Sequence, residues 1–392
     1  MARSAPNLSS FVAGEVSPRL EGRTELEKYR AGASELLNMV VHPHGGVSRR
    51  PGTEFLGEVK DSSVKTRLIP FQFKTTDTYI LEFGDSVMRV YRNGGQVLGA
   101  SKTITAITKA NPVVLTSNGH GMSNGDEVFV STVGGMTELN GRNYKVASVT
   151  TNTFSLTDMF GTAINSTNFT TYTSGGKAEL IFSVATPYPA AKVFDLRFVQ
   201  SADTMYLVHP EYAPRTLVRT DHNAWTFATP TFIDGPYLDV NTTTTTLNPG
   251  ATSGTGVTLA ASASLFASTD VGRLVSLPGG NATITAFTDA QNVTITINAT
   301  LSAATATTNW ALGAWSDTTG YPSSVTFFEQ RLVFAATTNE PQTLFFSKNG
   351  DYQNMTAGTN DNDALIYQIA SNQVNNIRYM SATRVLTIGT SG

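Results

Sequence analysis

Tyr79-Ile80-Leu81-Glu82-Phe83-Gly84 is a short apolar strand closed by a turn. The same kind of stretch returns as Met205-Tyr206-Leu207-Val208-His209-Pro210, Arg331-Leu332-Val333-Phe334-Ala335-Ala336 and Arg384-Val385-Leu386-Thr387-Ile388-Gly389. Their starts lie 126, 126 and 53 residues apart. A spacing of about 50 residues suits one four-stranded propeller blade. The two long intervals then read as blade intervals that each carry an inserted domain of about 75 residues. A repeating platform with decorations suits assembly better than chemistry.

Composition narrows the classes. At 392 residues the chain is too long for one ordinary core. The hydrophobic fraction of 40% is that of a globular protein, and charge is low, with a formal net of −3. That balance argues against a protein whose main task is gripping phosphates. Residues 1–74 hold eleven Lys/Arg against eight Asp/Glu, and the remainder sixteen against twenty-two. With no cysteine, this chain has no disulfide, thiolate zinc site or cysteine nucleophile. No run of 18 apolar residues is present. Residues 1–18 lack the apolar centre of a signal peptide.

Punctuation divides the chain further. Residues 1–60 read as a docking segment, with breakers at Pro6, Gly14, Pro18 and Gly22. Thr24 and Glu27 form a capping-box pattern, and Leu26, Tyr29, Ala33, Leu36 and Leu37 share a helical face. One helix is expected over residues 25–38. A tight Gly/Pro loop carrying Arg49 and Arg50 follows. Residues 61–100 read as the first platform part, where Asn93-Gly94 between apolar runs marks a hairpin. Residues 101–180 are rich in Thr, Ser, Asn and Gly and read as an inserted β-barrel or sandwich. Residues 181–240 return to the platform, with a strand expected over 191–198. Residues 241–312 form a second such insert, and residues 313–392 the third platform part. The stop at Gly392, soon after a strand, suggests that the platform continues beyond this chain. The fold class is thus all-β: a propeller-like platform, two small inserted β-barrel or sandwich domains, and a short N-terminal helical docking segment.

Candidate chemistry is sparse. His42-Pro43-His44 offers two imidazoles without a third ligand nearby, so no metal is expected. Asn360-Asp361-Asn362-Asp363 lacks the glycine and distal glutamate of a calcium loop and reads as an Asx turn. Gly254-Thr255-Gly256 has no following lysine for a phosphate loop. No spacing selects a pair of carboxylates for glycoside hydrolysis. No cofactor, catalytic residue or small-molecule substrate is expected. Aromatic residues from Tyr79 to Phe345, Phe194 among them, read as core between blades. Arg49 and Arg50, with Arg19 and Arg23 upstream, are either ordinary surface charge or contacts to an adaptor or neighbouring subunit.

Asn7-Leu8-Ser9-Ser10-Phe11-Val12-Ala13-Gly14-Glu15-Val16-Ser17-Pro18-Arg19-Leu20, with Gly22-Arg23, resembles the opening of tail nozzle proteins of short-tailed bacteriophages, also called tail tubular proteins. The loop Gly45-Gly46-Val47-Ser48-Arg49-Arg50-Pro51-Gly52-Thr53 resembles a second recurrent feature of that family. Phe327 to Phe334 and Phe346 to Tyr352 fit it as well. The first insert is similar to a small β-module of phage tail proteins named after ubiquitin-activating enzymes; without cysteine it carries no thioester chemistry. The resemblance implies a virion protein assembled in the bacterial cytoplasm, a non-enzymatic subunit of a homohexameric ring. It further implies a portal adaptor above, fibres or spikes attached, and double-stranded DNA passing through without sequence-specific binding. A glycan-binding or glycan-degrading tail component built on a propeller is the second reading.

Overall fold

Strands account for 46% of the chain and helix for 3%, so the protein is almost entirely β. A computed structural model describes residues 8–370 and 372–391. Asn7 of the N-terminal motif and the terminal Gly392 lie outside them. The chain divides into two compact units, residues 1–56 and residues 57–392.

In the larger unit, three sheets share one plan. The first is the antiparallel meander Arg67–Lys74, Asp77–Gly84 and Val87–Arg92, completed by Ser183–Ala185. The second runs Arg197–Ser201, Thr204–His209, Tyr212–Asp221 and Ala224–Ala228. The third runs Ser324–Phe328, Arg331–Ala335, Thr343–Phe346 and Leu365–Gln368. In each, the recurrent apolar stretch is the second strand. The fourth copy forms Leu386–Thr390, the second strand of a hairpin with Ile377–Ala382. The Asn93-Gly94 hairpin forms as the sequence requires, with both turn residues at positive φ.

Packing explains the repeat. Alternate residues of a strand face opposite sides of its sheet. Met205 and Leu207 join a core with Ile69, Phe71, Leu81 and Phe83 of the first sheet. Their neighbours Tyr206 and Val208 pack instead with Leu332, Phe334 and Phe345 of the third. Val333 and Ala335 turn the other way, onto Ile377, Leu386 and Ile388 of the last hairpin. A strand covered on both faces needs a continuous apolar run rather than alternation. Burying each large aliphatic or aromatic side chain contributes about 1.5–3 kcal/mol. The sheets therefore stack face to face in chain order.

The first sheet ends the stack. Its inner face carries Met88 and Val90, and its outer face Glu82, Arg89 and Tyr91. The first insert meets that outer face around Arg89, while Leu68 and Ile80 of the same face stay exposed. The insert leaves the chain after the third strand of the first sheet and returns for the fourth. The second insert instead lies between the second and third sheets. The two equal intervals thus hold insertions at different points of the plan.

Each insert is one antiparallel sheet whose ends curl towards each other. The first has seven strands, and its outermost members, Leu98–Thr103 and Ala106–Ile107, are successive parts of one run that bonds Gly176 at one edge and Thr116 at the other. The second has six, from Leu247–Pro249 to Ala311–Leu312. Numbered within each module from Ala106–Ile107 and from Leu247–Pro249, the strand order is the same, 1-2-5-4-3-6. Each has a separate apolar core, around Val128, Phe154 and Leu156 in the first and Leu259, Val275 and Ile295 in the second. The two modules share a topology that their sequences do not advertise.

The expected helix over residues 25–38 is a single turn, Glu27–Arg30. Its N-cap is Leu26 and no side chain caps it, so the Thr24–Glu27 capping box does not form. Gly32 instead joins a parallel pair with Gly14, and glycine costs a helix about 1 kcal/mol relative to alanine. None of the helical-face side chains is fully buried, so packing does not supply what a short helix lacks. The expected strand over 191–198 begins only at Arg197, and Phe194 is half exposed rather than core.

Candidate interaction site

The N-terminal unit has defined backbone and almost no interior. Met39–Val41 and Val47–Arg49 form a hairpin, so the expected Gly/Pro loop is a strand pair with a turn at residues 42–46. Gly45 sits at φ +99°, with the Ser10 side chain 3.0 Å from where a Cβ would stand. The Phe11 backbone N–H donates to its carbonyl, which ties the Asn7–Leu20 motif to the Gly45–Thr53 motif. Among described residues 8–56 only Gly32 and Gly45 are buried. Leu37 is 68% exposed, and Val12, Met39, Val40, Phe55 and Leu56 are exposed too.

All four expected arginines are exposed and lie in this unit. Arg19 stands on the turn Pro18–Leu20 and Arg49 ends the hairpin. Arg23 is paired with Glu25. Arg50 extends to Asn38, its Nε donating to Oδ1 at 2.7 Å, while its backbone N–H donates to the Asn38 carbonyl at 3.0 Å. Arg49 and Arg50 are adjacent to each other, and no hydrogen bond or ion pair joins them to Arg19 or Arg23. His42 is spent on Ser48 across the hairpin, at 2.8 Å.

In the larger unit the Asn360–Asp363 turn is held by hydrogen bonds from Arg331 and within the turn itself. Arg331 is buried and donates to the carbonyls of Asp361 and Asp363, each at 2.5 Å, and of Ser347 at 2.8 Å. Asp363 also accepts from Asn360 and pairs with Lys348 at 3.5 Å; these contacts, the Asn360 backbone N–H first, hold its carboxyl below the usual range. Among the described residues no group of three His, Asp or Glu is arranged to hold a metal ion. No helix among them is long and apolar enough to cross a membrane.

A charged junction fixes the first module to the first sheet, and nothing in the spacing announced it. Arg89, 1% exposed, lies 3.8 Å from Glu82 on the neighbouring strand and 3.2 Å from Glu127 of the module. It also donates to the Glu58 carbonyl at 3.1 Å. The Tyr91 hydroxyl donates to Glu82 at 2.5 Å, and burial together with that carboxylate raises its pKa well above the usual phenol value. Gln96 donates to Tyr91, and Asn143 of the module donates to Gln96 at 2.7 Å. Glu82 and Arg89 were each legible only as an interruption of an apolar run.

The ubiquitin-activating enzyme E1 FCCH domain family matches residues 110–181, the bulk of the first module and far less than half of the chain. No curated protein matches the chain.

Proposed function

We propose that the chain is a structural subunit of a phage tail nozzle. It forms a ring below the portal adaptor, lets DNA pass through, and carries fibres or spikes on its outside. One observation carries this reading. Over its described residues, 8–56, the N-terminal unit holds a defined backbone while burying only two glycines. A segment of that size with no core of its own needs other surfaces to be stable. Its exposed valines, leucines and arginines are residue types suited to a buried contact.

The resemblance of the same segment to tail nozzle proteins names the partners: neighbouring copies and an adaptor. The stacked antiparallel sheets act as a propeller-like platform forming the ring wall, with the two inserted modules as decorations. The excess of acidic over basic residues after residue 74 suits a lumen along which phosphates slide, because a basic lumen would retain them. The chain performs no catalysis.

Mass photometry and negative-stain microscopy of the purified chain test the reading. A six-fold ring is expected, and Arg49→Glu with Arg50→Glu should shift the population to smaller species. A wild-type chain that stays monomeric, or a ring indifferent to both charge reversals, would sink the proposal for those residues.

A further inference from the structure

A cleft of about 580 Å³ opens where the loop of residues 229–236 meets the second module, the segment 313–321 and the second sheet at Ala213 and Pro214. That volume falls in the range of small-ligand sites, about 300–1,000 Å³. Its walls are largely apolar and include Pro230, Phe232, Ile233, Trp315 and Tyr321. Trp315 is clamped by edge contacts to Phe232, Phe334 and Phe345, with ring centres 4.9–5.5 Å away. Among the described residues no Lys, Arg or His lines the cleft, and Asp234 is the one carboxylate that does.

The polar groups form an ordered chain. Asp234 Oδ1 accepts from the Tyr237 hydroxyl at 2.8 Å and from Asn281 Nδ2 at 3.1 Å. Asn298 Nδ2 donates to Asn281 Oδ1 at 3.0 Å and to Thr283 Oγ1 at 2.9 Å. These bonds fix both side chains and leave Asp234 Oδ2 and Asn298 Oδ1, two acceptors, without a hydrogen bond among the described residues. Asp234 also holds a positive φ of 47°, a backbone state costly for residues other than glycine.

We propose that this cleft binds an uncharged saccharide. Spare acceptors require a ligand that donates, as a hydroxyl does. A purely apolar ligand would leave these acceptors unpaired. Phosphorylated or carboxylated ligands would meet Asp234 with no cation to compensate. A sugar ring supplies hydroxyls for the Asp234–Asn298 side and an apolar face for the aromatic walls. The inference is independent of ring assembly.

Saturation-transfer NMR on the full chain tests it with cellobiose, maltose and N,N′-diacetylchitobiose, set against glucuronic acid and choline. At least one neutral disaccharide should receive magnetisation. Ala299, exposed at the margin of the cleft, is the blocking position. Ala299→Trp should weaken binding at least tenfold with an unchanged circular dichroism spectrum, and Asp234→Ala should weaken it as well. Silence from all three neutral sugars overturns the proposal. So does transfer that survives Ala299→Trp, or stronger binding of glucuronic acid or choline.

Discussion

Arg89→Met removes one guanidinium from between two carboxylates, and the structure sets the size of the effect. At 3.2 and 3.8 Å, each attraction amounts to about 4–5 kcal/mol at an effective dielectric constant of about 20. Desolvation of three buried charges offsets much of that sum. Glu82 Oε1, Glu127 Oε1 and Arg89 Nη2 have no hydrogen bond to soften their burial. Deleting the arginine leaves two carboxylates facing each other, 2% and 8% exposed. Breaking such a buried pair costs about 3–5 kcal/mol, against about 0–1 for a surface pair. The unit has several cores, so a single global unfolding energy would blur the effect. Amide hydrogen exchange reads it locally. Opening of Glu127–Gly134 and Val87–Arg92 should become about 10²–10⁴-fold more frequent, at 1.4 kcal/mol for each factor of ten. The second module, with its own core, should keep its protection. Adding Glu82→Gln and Glu127→Gln to Arg89→Met should recover most of the loss, because no uncompensated charge then remains. A loss below about 1 kcal/mol, or a triple variant as impaired as the single one, would refute the charge argument and leave packing alone to hold the junction.

Two further outcomes follow from buried groups of the platform. Arg331→Met removes the donor shared by three carbonyls, so the turn at residues 360–363 should become protease-sensitive and stability should fall by about 2 kcal/mol; an unchanged digestion pattern would show that the Asx bonds suffice. His209 is buried with Nδ1 accepting from the Glu211 N–H at 3.0 Å and Nε2 unpartnered, and burial lowers its pKa from the ordinary 6.5. The unfolded chain therefore takes up the proton first, so this contribution is complete above about pH 6.5 and is lost as pH falls through the lower folded value. His209→Asn should flatten that decline in a thermal-melt series, and an identical slope in both proteins would remove His209 as its source.

Much of the platform was legible because its physical demands are local. A strand buried on both faces needs an unbroken apolar run, so Met205–Val208 and Arg331–Ala335 announce themselves. A two-residue turn needs positive φ, so Asn93-Gly94 announces its hairpin. The pattern over residues 25–38 misled because apolar spacing states what a helix could bury, not whether anything is there to cover it. Arg19, Arg23, Arg49 and Arg50 could be named as a basic set; which of them pairs, Arg23 with Glu25 and Arg50 with Asn38, depends on backbone geometry.

The sequence by itself determined the β class, the recurrent strands, the absence of thiol chemistry and the punctuation of the inserts, because each follows from residue type or short-range spacing. The tertiary structure alone decided that the first insert interrupts a sheet while the second lies between sheets. It decided that both modules follow one strand order, that Arg89 meets Glu127 across a module boundary, and that Asp234, Asn281, Asn298 and Trp315 surround one cleft. Those residues lie far apart along the chain. Their meaning comes from burial, where an unpaired charge or donor is costly, and burial is a property of the packed chain rather than of any stretch of it.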